Sequence, residues 1–169
     1  FCPESALFAA ALALCATLFA APRLWREQVT LMASVSPGAK LVRERLRALI
    51  DARSELGVLR GRLVVRDGAA VPIGTVGVIV PRVMIDARFA QALDDEALAG
   101  ALHHEIEHVR GRDPLRYFAA WWALAVNPLG RFLLDTEFSR WLLAREIHCD
   151  REAVLGGAGG PALAHALVT

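Results

Sequence analysis

His104 and His108 stand four residues apart in the run His104-Glu105-Ile106-Glu107-His108. On a helix, positions four apart differ by about 40° in direction, so both imidazoles leave one face and can hold a single metal ion. Glu105 follows the first histidine directly, so its carboxylate can reach a water on that metal without filling a coordination position. Two neutral imidazoles plus one carboxylate suit Zn²⁺, and water in the fourth position becomes a nucleophile near neutral pH. The third ligand must come from another element. Glu146-Ile147-His148-Cys149-Asp150 offers two carboxylates four apart. Glu146 can complete the site, leaving Asp150 to accept the other ring N–H of a liganding histidine and so fix its tautomer. The competing reading is an exposed acidic pair matched to Arg145 and Arg151. The histidine pair favours the ligand reading.

Other residues carry weaker signals. His103 lies about 100° round the helix from His104 and reads as a surface or packing residue. Glu107 points away from the metal and reads as solvated, and Cys149 as a packed small side chain. His165 lies beyond a glycine-rich break without a visible partner. Tyr117, the only tyrosine, could donate to an oxyanion, although a core or interfacial aromatic is the stronger reading.

The elements that must position these groups can be read from caps and periodicity. Asp94, Asp95 and Glu96 open a helix, with Asp94 as its cap, and Gly111 and Pro114 close it after about Arg110. Leu115 to Val126 is too short to span a bilayer alone. Asn127-Pro128 starts a fresh helix that runs past Glu146 and Asp150 to Leu155. Upstream, Ala39 to Leu56 reads as an amphipathic helix on Leu41, Val42, Leu46, Leu49 and Ile50, with Arg43, Glu44, Arg45, Arg47 and Arg53 solvating one face. From Arg62 to Ile85 the chain turns β-like, with a turn at Asp67-Gly68. Pro72, Gly74, Gly77 and Pro81 argue for an edge strand or bulge there rather than a central strand.

The 169 residues suffice for one domain with or without a membrane segment, and 55% of them are hydrophobic, which excludes a disordered chain. A net charge of +1 gives no bulk basic character for binding nucleic acid. Three scattered cysteines cannot form a disulfide framework and point to a reducing compartment. The first residue is not Met, so the chain reads as a fragment or processed product. Ala6 to Ala21 is uncharged, and as a helix would span about 24 Å. A signal-peptide core and a buried helix compete with a transmembrane helix. Arg23 and Arg26, immediately after it, favour the transmembrane reading with the remainder in the cytoplasm.

Together these residues resemble the gluzincin metallopeptidases, most closely the integral-membrane family that includes the β-lactam sensor-transducers and antirepressor peptidases. The resemblance rests on Val71-Pro72-Ile73-Gly74 followed by Val78-Ile79-Val80-Pro81, on Asp95-Glu96-Ala97-Leu98 leading into His104-Glu105-x-x-His108, and on the trailing Arg110, Arg112 and Asp113. Trp121-Trp122, Asn127-Pro128 and Glu146-x-x-Cys149-Asp150 complete it, over about Arg62 to Leu155. Two departures stand out. Glu107 occupies a position where the family usually has a small apolar residue, and Arg-Gly-Arg-Asp replaces the commoner Arg-Arg-Gly-Asp.

The resemblance implies an α+β fold: a mostly helical zincin-like domain over residues 26–169 with a small edge-stranded sheet, preceded by a transmembrane helix over 1–25. It implies zinc on His104, His108 and Glu146, with Glu105 as general base, in a membrane endopeptidase whose catalytic domain faces the cytoplasm. The expected substrate is a protein or peptide, such as a regulator or repressor, lying extended along Gly74 to Val80 with Gly74, Gly77 and Val78 at the contact. Three rivals remain: a non-catalytic module that zinc merely staples, a plain helical membrane protein whose histidines are incidental, and a membrane peptidase of the heat-shock or prenyl-protein type. Asn127-Pro128 and Cys149-Asp150 tilt against the last.

Overall fold

The computed structural model describes residues 11, 13–15, 17–18, 37–126, 130–156 and 159–161. Helix α1 (Pro37–Ala52) buries Val42, Leu46, Leu49 and Ile50 of the apolar positions expected of it, whereas Leu41 is exposed. It does not continue to Leu56. Arg53 is extended and the chain re-forms as a short 3₁₀ segment, Ser54–Leu59, that buries Leu56 and Leu59. Three strands follow: β1 (Leu63–Arg66), β2 (Ile73–Val76) and β3 (Arg82–Asp86), in the order β1-β3-β2. β3 pairs parallel with β1 and antiparallel with β2.

This sheet corrects the expectation of an edge strand across the whole proline- and glycine-containing stretch. Val83, Met84 and Ile85 are buried on both faces of a central strand, the pattern of a strand covered on two sides. The breakers sit outside it: Pro81 immediately precedes β3, and Gly77, at φ +97°, follows β2. Only β2 and β1 are edges.

Asp86 ends the sheet and starts α2 (Ala87–Ala92), its carboxylate accepting from the amides of Arg88 and Phe89. Asp94 likewise caps α3 (Asp95–Gly111) by accepting from Ala97 N at 2.8 Å. Along α3, Leu98, Leu102, Ile106 and Val109 enter the core with Val65, Ile85 and Leu46. Helix α4 (Asp113–Val126) and α5 (Gly130–Leu155) form a hairpin against it. The junction Asn127-Pro128 and His165 lie outside the described residues.

The domain is mostly helical with a small sheet, as expected, but the transmembrane helix over 1–25 is not supported. Among the described residues no helix is long and apolar enough to cross a membrane. Sixteen uncharged residues fall short of a hydrocarbon core of about 30 Å. Most of 1–25 lies outside the described residues; Ala11, Ala13 to Cys15, Thr17 and Leu18 are helical. The membrane attachment and cytoplasmic placement drawn from that span lose their basis with it.

Candidate metal centre

The core face of α3 fixes its other side. With Leu102 and Ile106 locked inward, His104, Glu105 and His108 face a cavity of about 340 Å³ that also meets Ile73, Gly74 and Thr75 of β2, Tyr117 of α4 and Glu146 of α5. The imidazole Nε2 atoms of His104 and His108 are 3.0 Å apart. Glu146 Oε2 lies 3.4 Å from the first and 3.6 Å from the second. Donors about 2.0–2.1 Å from a tetrahedral Zn²⁺ are about 3.3 Å from one another. The three side chains therefore already have the spacing that such an ion imposes.

The partners on the far side of each ring strengthen the fit. His104 Nδ1 meets Asp150 Oδ1 at 2.7 Å, and His108 Nδ1 meets Asp113 Oδ2 at 2.7 Å. A carboxylate accepts but does not donate, so each neutral ring carries its proton on Nδ1 and turns the Nε2 lone pair inward. Two lone pairs and a carboxylate oxygen then converge on one point, an arrangement that a cation stabilises.

Asp150 occupies the position read for it from sequence. Asp113 is a partner that the sequence reading missed. It is fully buried, and Arg145 Nε also donates to its Oδ2 at 2.6 Å while Arg145 Nη2 donates to the Glu107 carbonyl at 2.6 Å. Arg145 is therefore engaged with Asp113 and does not neutralise Glu146. The turn that delivers Asp113 is not made by Gly111, which remains helical. Arg112 adopts the left-handed conformation (φ 52°) and caps α3. Gly111 is needed for space: a Cβ there would fall 2.7 Å from Asp113 Oδ1, and closer still to the Arg145 guanidinium. Asp113 Oδ1 itself has no hydrogen-bond partner among the described residues.

Glu105 is buried. Burial pushes its carboxyl pKa up, opposed by the Thr75 hydroxyl and the two imidazoles. Thr75 Oγ1 donates to Glu105 Oε2 at 2.6 Å, a contact between the edge strand and α3 that no spacing rule in the sequence reveals. Tyr117 Oη lies 3.5 Å from Glu146 Oε1, and its ring packs edge-on to Trp141. Burial raises the pKa of this phenol, so it stays a donor.

The remaining expectations sort as follows. Gly74 lines the cavity, whereas Gly77 and Val78 come after the end of β2 and do not. Cys149 is fully buried, 3.7 Å from His108 Nδ1, on the ring edge away from Nε2, and burial pushes its thiol up to about 12. It can be grouped with His108 and Asp113 as a second set of metal-type ligands, but the Arg145 guanidinium already supplies the cation there. Glu107 is half-buried and paired with Arg110. His103 is buried against the end of α5, where a Cβ on Gly156 would lie 3.2 Å from its Nδ1, and burial lowers its pKa.

No protein family, curated protein or solved structure compared with this chain matches it, so the gluzincin resemblance rests on the residues quoted for it.

Proposed function

We propose that this chain is a zinc-dependent endopeptidase of the gluzincin type acting on a protein or peptide substrate. The observation that carries this reading is the convergence of His104 Nε2, His108 Nε2 and Glu146 Oε2 at 3.0 to 3.6 Å. Beside it, the buried Glu105 carboxylate faces the same cavity. A zinc ion held by those three side chains would polarise a peptide carbonyl and acidify a water at the open position. Glu105 takes the proton from the attacking water as its oxygen bonds to the carbonyl carbon. Glu105 then returns that proton to the amine as the C–N bond breaks. Thr75 holds one Glu105 oxygen and leaves the other for this transfer. Among the described residues no strand pairs with the outer edge of β2 at Ile73 to Val76, and an extended peptide can hydrogen-bond along it.

The rival reading, a zinc that only staples helices, requires a fourth protein ligand. Among the described residues the nearest thiol, Cys149, is a buried neutral group on the wrong edge of His108. The lack of a fourth protein ligand beside His104, His108 and Glu146 among the described residues favours catalysis.

The test is Glu105→Gln in the full chain, followed by metal analysis after dialysis and by cleavage of an unfolded protein such as casein. Zinc should be retained while cleavage falls by about 10²- to 10⁴-fold. Undiminished cleavage, or a wild-type protein that binds no zinc, overturns the proposal.

A further inference from the structure

The arginines of α1, together with Arg53 just past its end, divide into two sets. Arg45 donates to Asp95 and to the carbonyls of Ala90 and Leu93, and Arg53 pairs with Glu96. These two fasten α1 to the start of α3. Arg43 and Arg47 lie four apart on another face, and among the described residues neither has a carboxylate partner. They line a cavity of about 490 Å³ together with Arg60 and Arg82. Arg82, at the start of β3, is also without a partner among the described residues. Among the described residues the one acid in the lining, Asp51, lies 3.2 Å from Arg60, with both side chains mostly exposed. Four guanidiniums thus face one carboxylate, in a chain whose net charge is only +1. Like charges at i,i+4 weakly oppose helix formation; Asp51, four residues after Arg47, offsets part of this, and an anion in the cavity would offset more.

We propose that this cavity binds a phosphate group carried on an aliphatic body. Guanidinium forks match phosphate oxygens in pairs, with charge-assisted hydrogen bonds. The rest of the lining includes Ile50, Leu59, Leu63 and Val64, which suits the apolar part of a phosphate ester. Among the described residues no aromatic ring lines the cavity, so a base has nothing to stack on there, which disfavours nucleic acid. The cavity has the size of a small-molecule site and shares no lining residue with the metal centre. The ester can be a soluble metabolite or a lipid headgroup.

Calorimetric titration of the full chain with n-butyl phosphate at physiological salt tests the shared chemistry. Co-sedimentation with phosphatidylcholine vesicles, with and without phosphatidic acid, distinguishes the sources. Saturable binding of butyl phosphate, tighter than inorganic phosphate, is expected. Arg47→Gln and Arg82→Gln should each weaken it by about tenfold at an unchanged thermal midpoint. Arg43→Gln, at a half-buried position, gives an independent third variant. Retention that depends on phosphatidic acid and is lost in these variants assigns the headgroup; soluble binding without retention assigns the metabolite. Failure to bind either probe, or binding that all three variants leave intact, overturns the proposal.

Discussion

His104 and His108 are held by carboxylates at the same 2.7 Å, but in different surroundings. The His108 side is sealed: Asp113 has no exposed surface, Arg145 bridges from α5, and Cys149 fills the remaining space. The His104 side is open, with Asp150 and Glu146 each nearly half exposed. One carboxylate helps hold the α3–α5 contact together, and the other orients a ring next to solvent. Equal distances therefore do not mean equal roles, because the cost of losing a charge partner depends on whether water can replace it.

Breaking the sealed side should have the largest effect. Asp113→Ala leaves Arg145 largely buried without its counter-charge and is expected to lower stability by about 3–5 kcal/mol, read as a drop in the thermal midpoint of the metal-free protein. A midpoint within experimental scatter of wild type would erase the distinction between the two sides. Asp150→Ala on the open side should leave that midpoint nearly unchanged while weakening zinc by about 10- to 100-fold in a competition with a chelator. Thr75→Val sharpens the contrast further, since it removes only the hydroxyl that fixes Glu105. Turnover should fall by about tenfold with zinc stoichiometry and KM unchanged, and Thr75→Ser should restore it; a loss that Ser does not rescue assigns Thr75 to packing alone.

The smallest effect lies away from both sides, at Asp86. Burial opposes its charge, but the amides of Ala69, Arg88, Phe89 and Gly68 outweigh burial and hold its pKa below the ordinary carboxylate value. A pKa lowered by folding contributes stability that is present above the unfolded-state value and is lost as pH falls through the folded one. Asp86→Asn should cost about 1 kcal/mol near neutral pH and flatten the acid limb of a melting-temperature profile. An acid limb as steep as wild type would remove Asp86 as a contributor.

The local features of the fold were legible where a short segment decides its own conformation. Asp94 was readable as a cap because the carboxylate meets an amide three residues away. The pairing of His104 with His108 follows from helical pitch alone. The strand boundaries were not legible. Pro81 and Gly77 read as breakers inside one β stretch, whereas they mark the ends of two separate strands, one of them central. Gly111 was read as a stop signal, but its lack of a side chain serves the passage of Arg145, a residue 34 positions later.

By itself, the sequence determined which groups share a helix face: the two imidazoles on α3, and Glu146 with Asp150 on α5. Helical periodicity is local and needs no partner. Only the tertiary structure decided that Asp113 and Arg145 sit behind His108, that Thr75 reaches Glu105, and that Arg45 and Arg53 bond to acids of α3 while Arg43 and Arg47 have no carboxylate partner among the described residues. Each of these depends on which elements pack together. That is settled by burying the apolar faces of α1, α3 and the sheet in one core, and polar partners distant in sequence meet as a consequence.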